Sequence, residues 1–192
     1  MKLHYAGKYD LDESKLPQRE HPANSVPFKE PDHKKFAIIA NGGAIVLLLI
    51  LIAVVFKVGM PYFKTGSSVF FIGALLSCVV LFPHEVLHAS CFKGDVWLYT
   101  NLSRGMLFVV GPEDMSKGRF IFMSLLPNIV FGLIPLIIFF IVPNLIILSV
   151  FGAFSLSMGF GDYINVFNAL TQMPKGSKTY LSGFHSYWYK PE

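Results

Sequence analysis

Residues 36–56 read FAIIANGGAIVLLLILIAVVF, 21 positions without one ionisable side chain, bounded by Lys34 and Lys35 before and Lys57 after. At 1.5 Å per residue a helix of this length covers about 31 Å, enough to cross a hydrocarbon core of about 30 Å. It starts too late and runs too long for a cleaved signal peptide. The rest of the 192-residue chain agrees with a membrane setting. Hydrophobic residues make up 53% and charged residues only 15%, against about 25% charged in an average soluble domain. The mean hydropathy is +0.53. Too little charge is present to cover a soluble surface, and the hydrophobicity excludes a disordered chain.

Three more apolar runs follow, at about 68–92, 120–142 and 145–170, the last two separated by Pro143-Asn144. Backbone polar groups in lipid must be satisfied internally, which leaves helices or a closed barrel, and no ten-residue alternation supports a barrel. The expected fold is an all-α membrane protein of four transmembrane helices, with a short β-hairpin in the central loop. The expected organisation is a polar N-terminal tail over 1–35, a membrane domain over 36–175 and a C-terminal tail over 176–192. Residues 1–35 hold seven basic and six acidic side chains and four prolines. Gly42, Gly43, Gly73, Ser77, Gly152 and Gly159 suit close packing between helices.

With four spans, both tails and the loop 93–119 share one side, carrying 14 of the 16 Lys and Arg residues. Only Lys57 and Lys64 fall on the other. The positive-inside rule then places both termini in the cytoplasm of a multi-pass plasma-membrane protein. The net charge of +4 faces anionic lipid, and no groove-reading motif argues for nucleic acid. Cys78 and Cys91, about 20 Å apart along one helix, cannot bridge within the chain.

Only two carboxylates remain inside the spans, Glu85 and Asp162. An acid at membrane depth is expensive and marks a functional site. Glu85 lies in His84-Glu85-Val86-Leu87-His88, an HExxH motif. Helical spacing of four stacks the two imidazoles one turn apart, where they can share a Zn²⁺, with Glu85 beside them as base for the attacking water. A catalytic zinc needs a third protein ligand and an open position. His84 lies 16 residues into its span and Asp162 17 residues past Leu145, about 24 Å and 26 Å along straight helices running the same way. The two therefore fall at one level near the cytoplasmic face, which makes Asp162 the candidate third ligand. A helix cap or an interfacial acid is the other role open to it.

HEVLH in a transmembrane helix, followed two spans later by Gly161-Asp162 in a glycine-rich helix, resembles the zincin peptidases of bacterial membranes, which are similar to intramembrane metalloproteases of the site-2 protease type. The resemblance covers roughly residues 68–175. It implies that His84, His88 and Asp162 hold zinc and that Glu85 activates the water. Site-2 proteases carry the aspartate in an LDG-type motif, whereas this chain reads Gly161-Asp162-Tyr163.

Asn128, after Pro127 in the third span, is the candidate donor to the oxyanion, with an interhelical hydrogen bond as its other role. Pro127 can open the helix there. Asn165, three residues after Asp162, is the candidate to orient that ligand. Runs 96–100 and 106–110 around Asn101–Gly105 read as a hairpin that could receive an extended substrate as an added strand, or lie in the interface anchored by Trp97 and Tyr99. Tyr187-Trp188-Tyr189-Lys190 reads as an interfacial anchor. The expected function is a zinc-dependent intramembrane or juxtamembrane peptidase acting on a membrane protein or peptide. The alternative is a non-catalytic zinc-binding membrane protein serving structure, sensing or transport.

Overall fold

The computed structural model describes residues 1–62 and 68–191. Lys64 lies outside the described residues. The chain divides into two compact units. One comprises Met1–Glu30, Glu85–Ser124 and Asn165–Glu192; the other comprises Pro31–His84 and Leu125–Ile164.

The second unit is helical. Its described apolar runs form helices, in which backbone groups bond within their own segment. Helix α1 (His33–Gly59) is capped by Asp32, whose carboxylate accepts from the Lys35 amide at 2.9 Å. Helix α2 (Ser68–Val79) and helix α3 (Leu81–Ser90) together form a 23-residue apolar stretch. Helix α4 (Lys117–Asn128) widens into a π turn at Ile129–Leu133 before α5 (Ile134–Ile141). Pro127 leaves the Met123 carbonyl without its helical donor, and Pro135 does the same to the Phe131 carbonyl within the π turn. Helix α6 (Ile146–Met158) and helix α7 (Phe160–Gln172) meet at a 50° bend. Within this unit the helices approach closely at glycines. A Cβ on Gly73 would sit 2.7 Å from Val150 Cβ, and one on Gly152 would sit 2.7 Å from the Gly132 carbonyl oxygen. Val55, Leu136 and Phe139 form its buried apolar centre.

The first unit contains two sheets. In one, β1 (Lys2–Lys8) runs parallel to β3 (Asp95–Asn101), which pairs antiparallel with β4 (Met106–Val110), Trp97 opposite Val110. In the other, the order is β2 (Val26–Pro27), β7 (His185–Tyr189), β6 (Lys178–Ser182), β5 (Met115–Ser116), all antiparallel. Gly183, at φ +63°, makes the tight turn between β6 and β7. Phe28, Phe92, Val96, Phe120 and Met173 fill the core. A second cluster sets Tyr9 edge-on against Tyr99, Phe108 and Phe184, the arrangement that ring quadrupoles favour.

Buried charge holds the connection after α3. Arg119 donates from Nε to the Cys91 carbonyl at 2.9 Å and from a terminal nitrogen to Glu113 Oε1 at 2.7 Å. Glu113 Oε2 accepts from the amides of Lys93 and Gly94 at 2.6 and 2.8 Å. Burial pushes the Glu113 carboxyl up, but those two amides and the guanidinium outweigh it and hold the group below its ordinary value.

An all-α architecture of four plain spans is therefore corrected to a mixed α/β fold, with seven strands in two sheets among the described residues. Among the described residues three stretches, His33–Tyr62, Ser68–Ser90 and Lys117–Ile141, are long and apolar enough to cross a membrane, and the bent pair α6 and α7 makes a fourth only if counted as one span. The strands come mostly from segments whose mixed polar composition reads as tail. Residues 2–8 pair with 95–100, and 178–182 pair with 185–189. The Tyr187-Trp188-Tyr189 stretch is strand β7, with the Tyr187 ring stacked on Tyr180 at 5.5 Å.

Candidate metal centre

Helix α3 carries the HExxH motif. Its Pro83 lies in the first turn, where a missing N–H costs little, and the His84 amide donates to the Val80 carbonyl at 2.8 Å. One ligand-capable atom from each of His84, Glu85 and His88 falls within 4.8 Å of the others. This is the stacking that the i, i+4 spacing dictates. His84 and Glu85 are half-buried, and His88 is 7% exposed.

The two histidines are held differently. His88 Nδ1 lies 2.9 Å from the Met123 carbonyl oxygen. A carbonyl only accepts, so Nδ1 carries the proton and Nε2 is the basic nitrogen, the tautomer suited to a metal. His84 Nε2 lies 3.2 Å from Asp162 Oδ2, with both side chains mostly buried. Two ligands on one tetrahedral zinc, at bonds of roughly 2.0–2.2 Å, stand about 3.4 Å apart. The His84–Asp162 separation fits a shared ion, and the donor set of imidazole and carboxylate is one that zinc accepts.

Asp162 stands in the first turn of α7, its amide donating to the Gly159 carbonyl at 3.0 Å. Asn128, 2% exposed, is the last residue of α4. Its Nδ2 donates to Asp162 Oδ2 at 2.7 Å. The Tyr163 hydroxyl donates to the Leu156 carbonyl at 3.0 Å and lies 3.3 Å from Asn128 Oδ1. Asn165, one turn further along α7, is half-buried and makes no side-chain hydrogen bond among the described residues.

Of the residues singled out in the sequence, the structure thus brings His84, Asp162 and Asn128 together, and sets Glu85 and His88 beside His84 on α3. Sequence reasoning missed three participants. The signal for the Met123 carbonyl is Pro127, four residues on, whose missing N–H leaves that carbonyl without its helical donor and available to His88. Tyr163 was visible only as the neighbour of Asp162. Gly159 had been read as a packing glycine, with nothing to tie it to Asn128.

A family profile described as "putative zincin peptidase" matches residues 77–178, more than half of the chain. The chain belongs to this family. The matched region holds the HExxH helix, the β3–β4 hairpin, Asn128 and Asp162. Zincin peptidases are zinc metallopeptidases, so family membership and the histidine–glutamate cluster point to the same ion. Among curated proteins and among solved structures nothing matches the chain.

Proposed function

We propose that this zincin peptidase hydrolyses peptide bonds of membrane proteins or membrane-bound peptides, within or beside the bilayer, in the manner of site-2 proteases. His84, His88 and Asp162 would hold the zinc, and Glu85 would serve as general base. The observation that supports this best is the His84–Asp162 pair at 3.2 Å, formed by two residues 78 positions apart, one from an HExxH motif and the other one of the two acids in the apolar runs.

Zinc supplies Lewis acidity, lowering the pKa of water and polarising a carbonyl. The chain's residues do the rest. His88 is kept in its binding tautomer by the Met123 carbonyl, and Asn128 donates to the Asp162 carboxylate. Glu85 takes the proton from the attacking water and passes it to the leaving amine, so that one carboxylate serves both halves of the reaction. Orientation with both termini cytoplasmic rests on the 14 basic residues of the tails and central loop, and cysteine labelling of residues 93–119 in intact cells checks it.

The decisive experiment pairs metal analysis with a cleavage assay on the purified full chain and its Glu85→Gln variant. The variant should keep its zinc and lose about 10²–10⁴ of the rate, the range of a general base. Cleavage at the wild-type rate would remove Glu85 from the mechanism. Zinc in both proteins with cleavage in neither would favour the non-catalytic reading.

A further inference from the structure

We propose that Asn128 is a positioning residue for Asp162, and that Gly159 exists to admit it. The inference rests on the reading of Asp162 as a metal ligand given above, and assigns Asn128 a role distinct from oxyanion binding.

Three observations carry it. First, the Asn128 amide has a defined orientation: Oδ1 faces the Tyr163 hydroxyl at 3.3 Å and Nδ2 faces Asp162 Oδ2 at 2.7 Å. A carboxylate oxygen accepts only from the amino end, so the Asp162 contact alone decides which way the amide lies. Second, the approach is permitted by one missing side chain. A Cβ built on Gly159 would stand 1.6 Å from Asn128 Oδ1 and 2.6 Å from its Cγ, so any other residue at 159 expels the Asn128 side chain. Third, Gly159 is the break between α6 and α7, and its carbonyl receives the Asp162 amide at 3.0 Å. The same residue therefore sets where α7 begins and leaves room for the amide that holds the carboxylate of its first turn. A hydrogen bond from outside the ligand set fixes a carboxylate's direction and typically affects metal affinity 10–100-fold.

Glycines elsewhere on these helices allow the role to be separated from packing. A Cβ on Gly152 would meet the Gly132 carbonyl and Leu136, crowding α6 without touching Asn128. The experiment measures Co²⁺ affinity of the detergent-solubilised full chain by chelator competition, together with the visible absorption bands of bound Co²⁺. Asn128→Ala should weaken binding 10–100-fold and change the bands. Gly159→Ala should do the same, and the double variant should lose no more than either alone, because Gly159 acts through Asn128. Gly152→Ala should lower the melting temperature and leave affinity within about twofold. Tyr163→Phe, which keeps the ring and removes the hydroxyl, should give a smaller loss than Asn128→Ala.

Additive losses at 128 and 159, or an Asn128→Ala protein with unchanged affinity and bands, would overturn the assignment. Equal losses from Gly152→Ala and Gly159→Ala would reduce it to general packing and overturn it too. Should Asn128→Ala fail to fold, the comparison of Gly159→Ala with Gly152→Ala decides alone. A wild-type chain that binds no metal sinks the peptidase reading and this inference with it, whereas metal binding indifferent to Asn128 sinks only the inference.

Discussion

The two units use charge in opposite ways. In the sheet-bearing unit, Glu85 of the HExxH motif aside, ionised groups are numerous and structural: Arg19 meets Asp114 at 2.7 Å, and Arg119 meets Glu113 at the same distance. In the helical unit the only acids are Asp32, which caps α1, and Asp162. Water and opposite charges offset the expense of ions in the first. In the second, apolar surroundings remove that relief, so the one acid kept beyond the helix cap has a chemical reason to be there. The lesson is that a carboxylate's meaning depends on its surroundings: the same residue type is scaffolding in one unit and a candidate ligand in the other.

The contrast can be broken most forcefully at Asp162. Asp162→Ala should lower zinc affinity at least about 100-fold, beyond the usual range for a supporting residue, while the metal-free protein melts close to wild type. Unchanged zinc content would remove Asp162 from the ligand set and dissolve the contrast. Arg119→Met should do the reverse. Losing a charged partner of a largely buried carboxylate costs roughly 1.5–3 kcal/mol, so the melting temperature should fall while zinc stoichiometry stays the same. A loss of zinc without loss of stability would show that this charge too belongs to the chemistry.

A smaller effect sharpens the comparison through pH. Because the Glu113 carboxyl is held below its ordinary value of 4.5, its contribution to stability is present above that pH and is lost as pH falls through the lower folded-state value. The melting temperature of the wild type should therefore fall as the pH drops below about 4.5, and Glu113→Gln should flatten that part of the profile. A variant with the same acid dependence as wild type would shift the responsibility to another carboxylate.

Sequence and structure agree where the physics is local. Charge-free runs of 20 residues leave few options, and HExxH places its side chains by helical geometry alone. The β3–β4 hairpin is local and legible in the sequence, whereas the pairings of β1 with β3, β2 with β7 and β5 with β6 were hidden because they are not local. Strand β1 pairs with a segment some 93 residues away, and neither partner carries a pattern strong enough to announce the other. The depth estimate sets His84 and Asp162 at one level, and their side chains lie 3.2 Å apart. That arithmetic assumes straight helices. The α6–α7 bend and the π turn after Asn128 are departures from straightness, and both lie beside the residues concerned.

The parallel pairing of β1 with β3 has a practical side. Strand β3 begins seven residues after His88, and β1 covers one of its edges from Lys2 to Lys8. An affinity tag, a fusion partner or a trimmed start at the amino terminus is therefore no neutral handle. Removing those few residues would uncover a strand rich in aromatic side chains, a template for self-association. Material prepared that way would report on clumping before it reported on chemistry, and a carboxyl-terminal handle placed beyond Tyr189 avoids that edge.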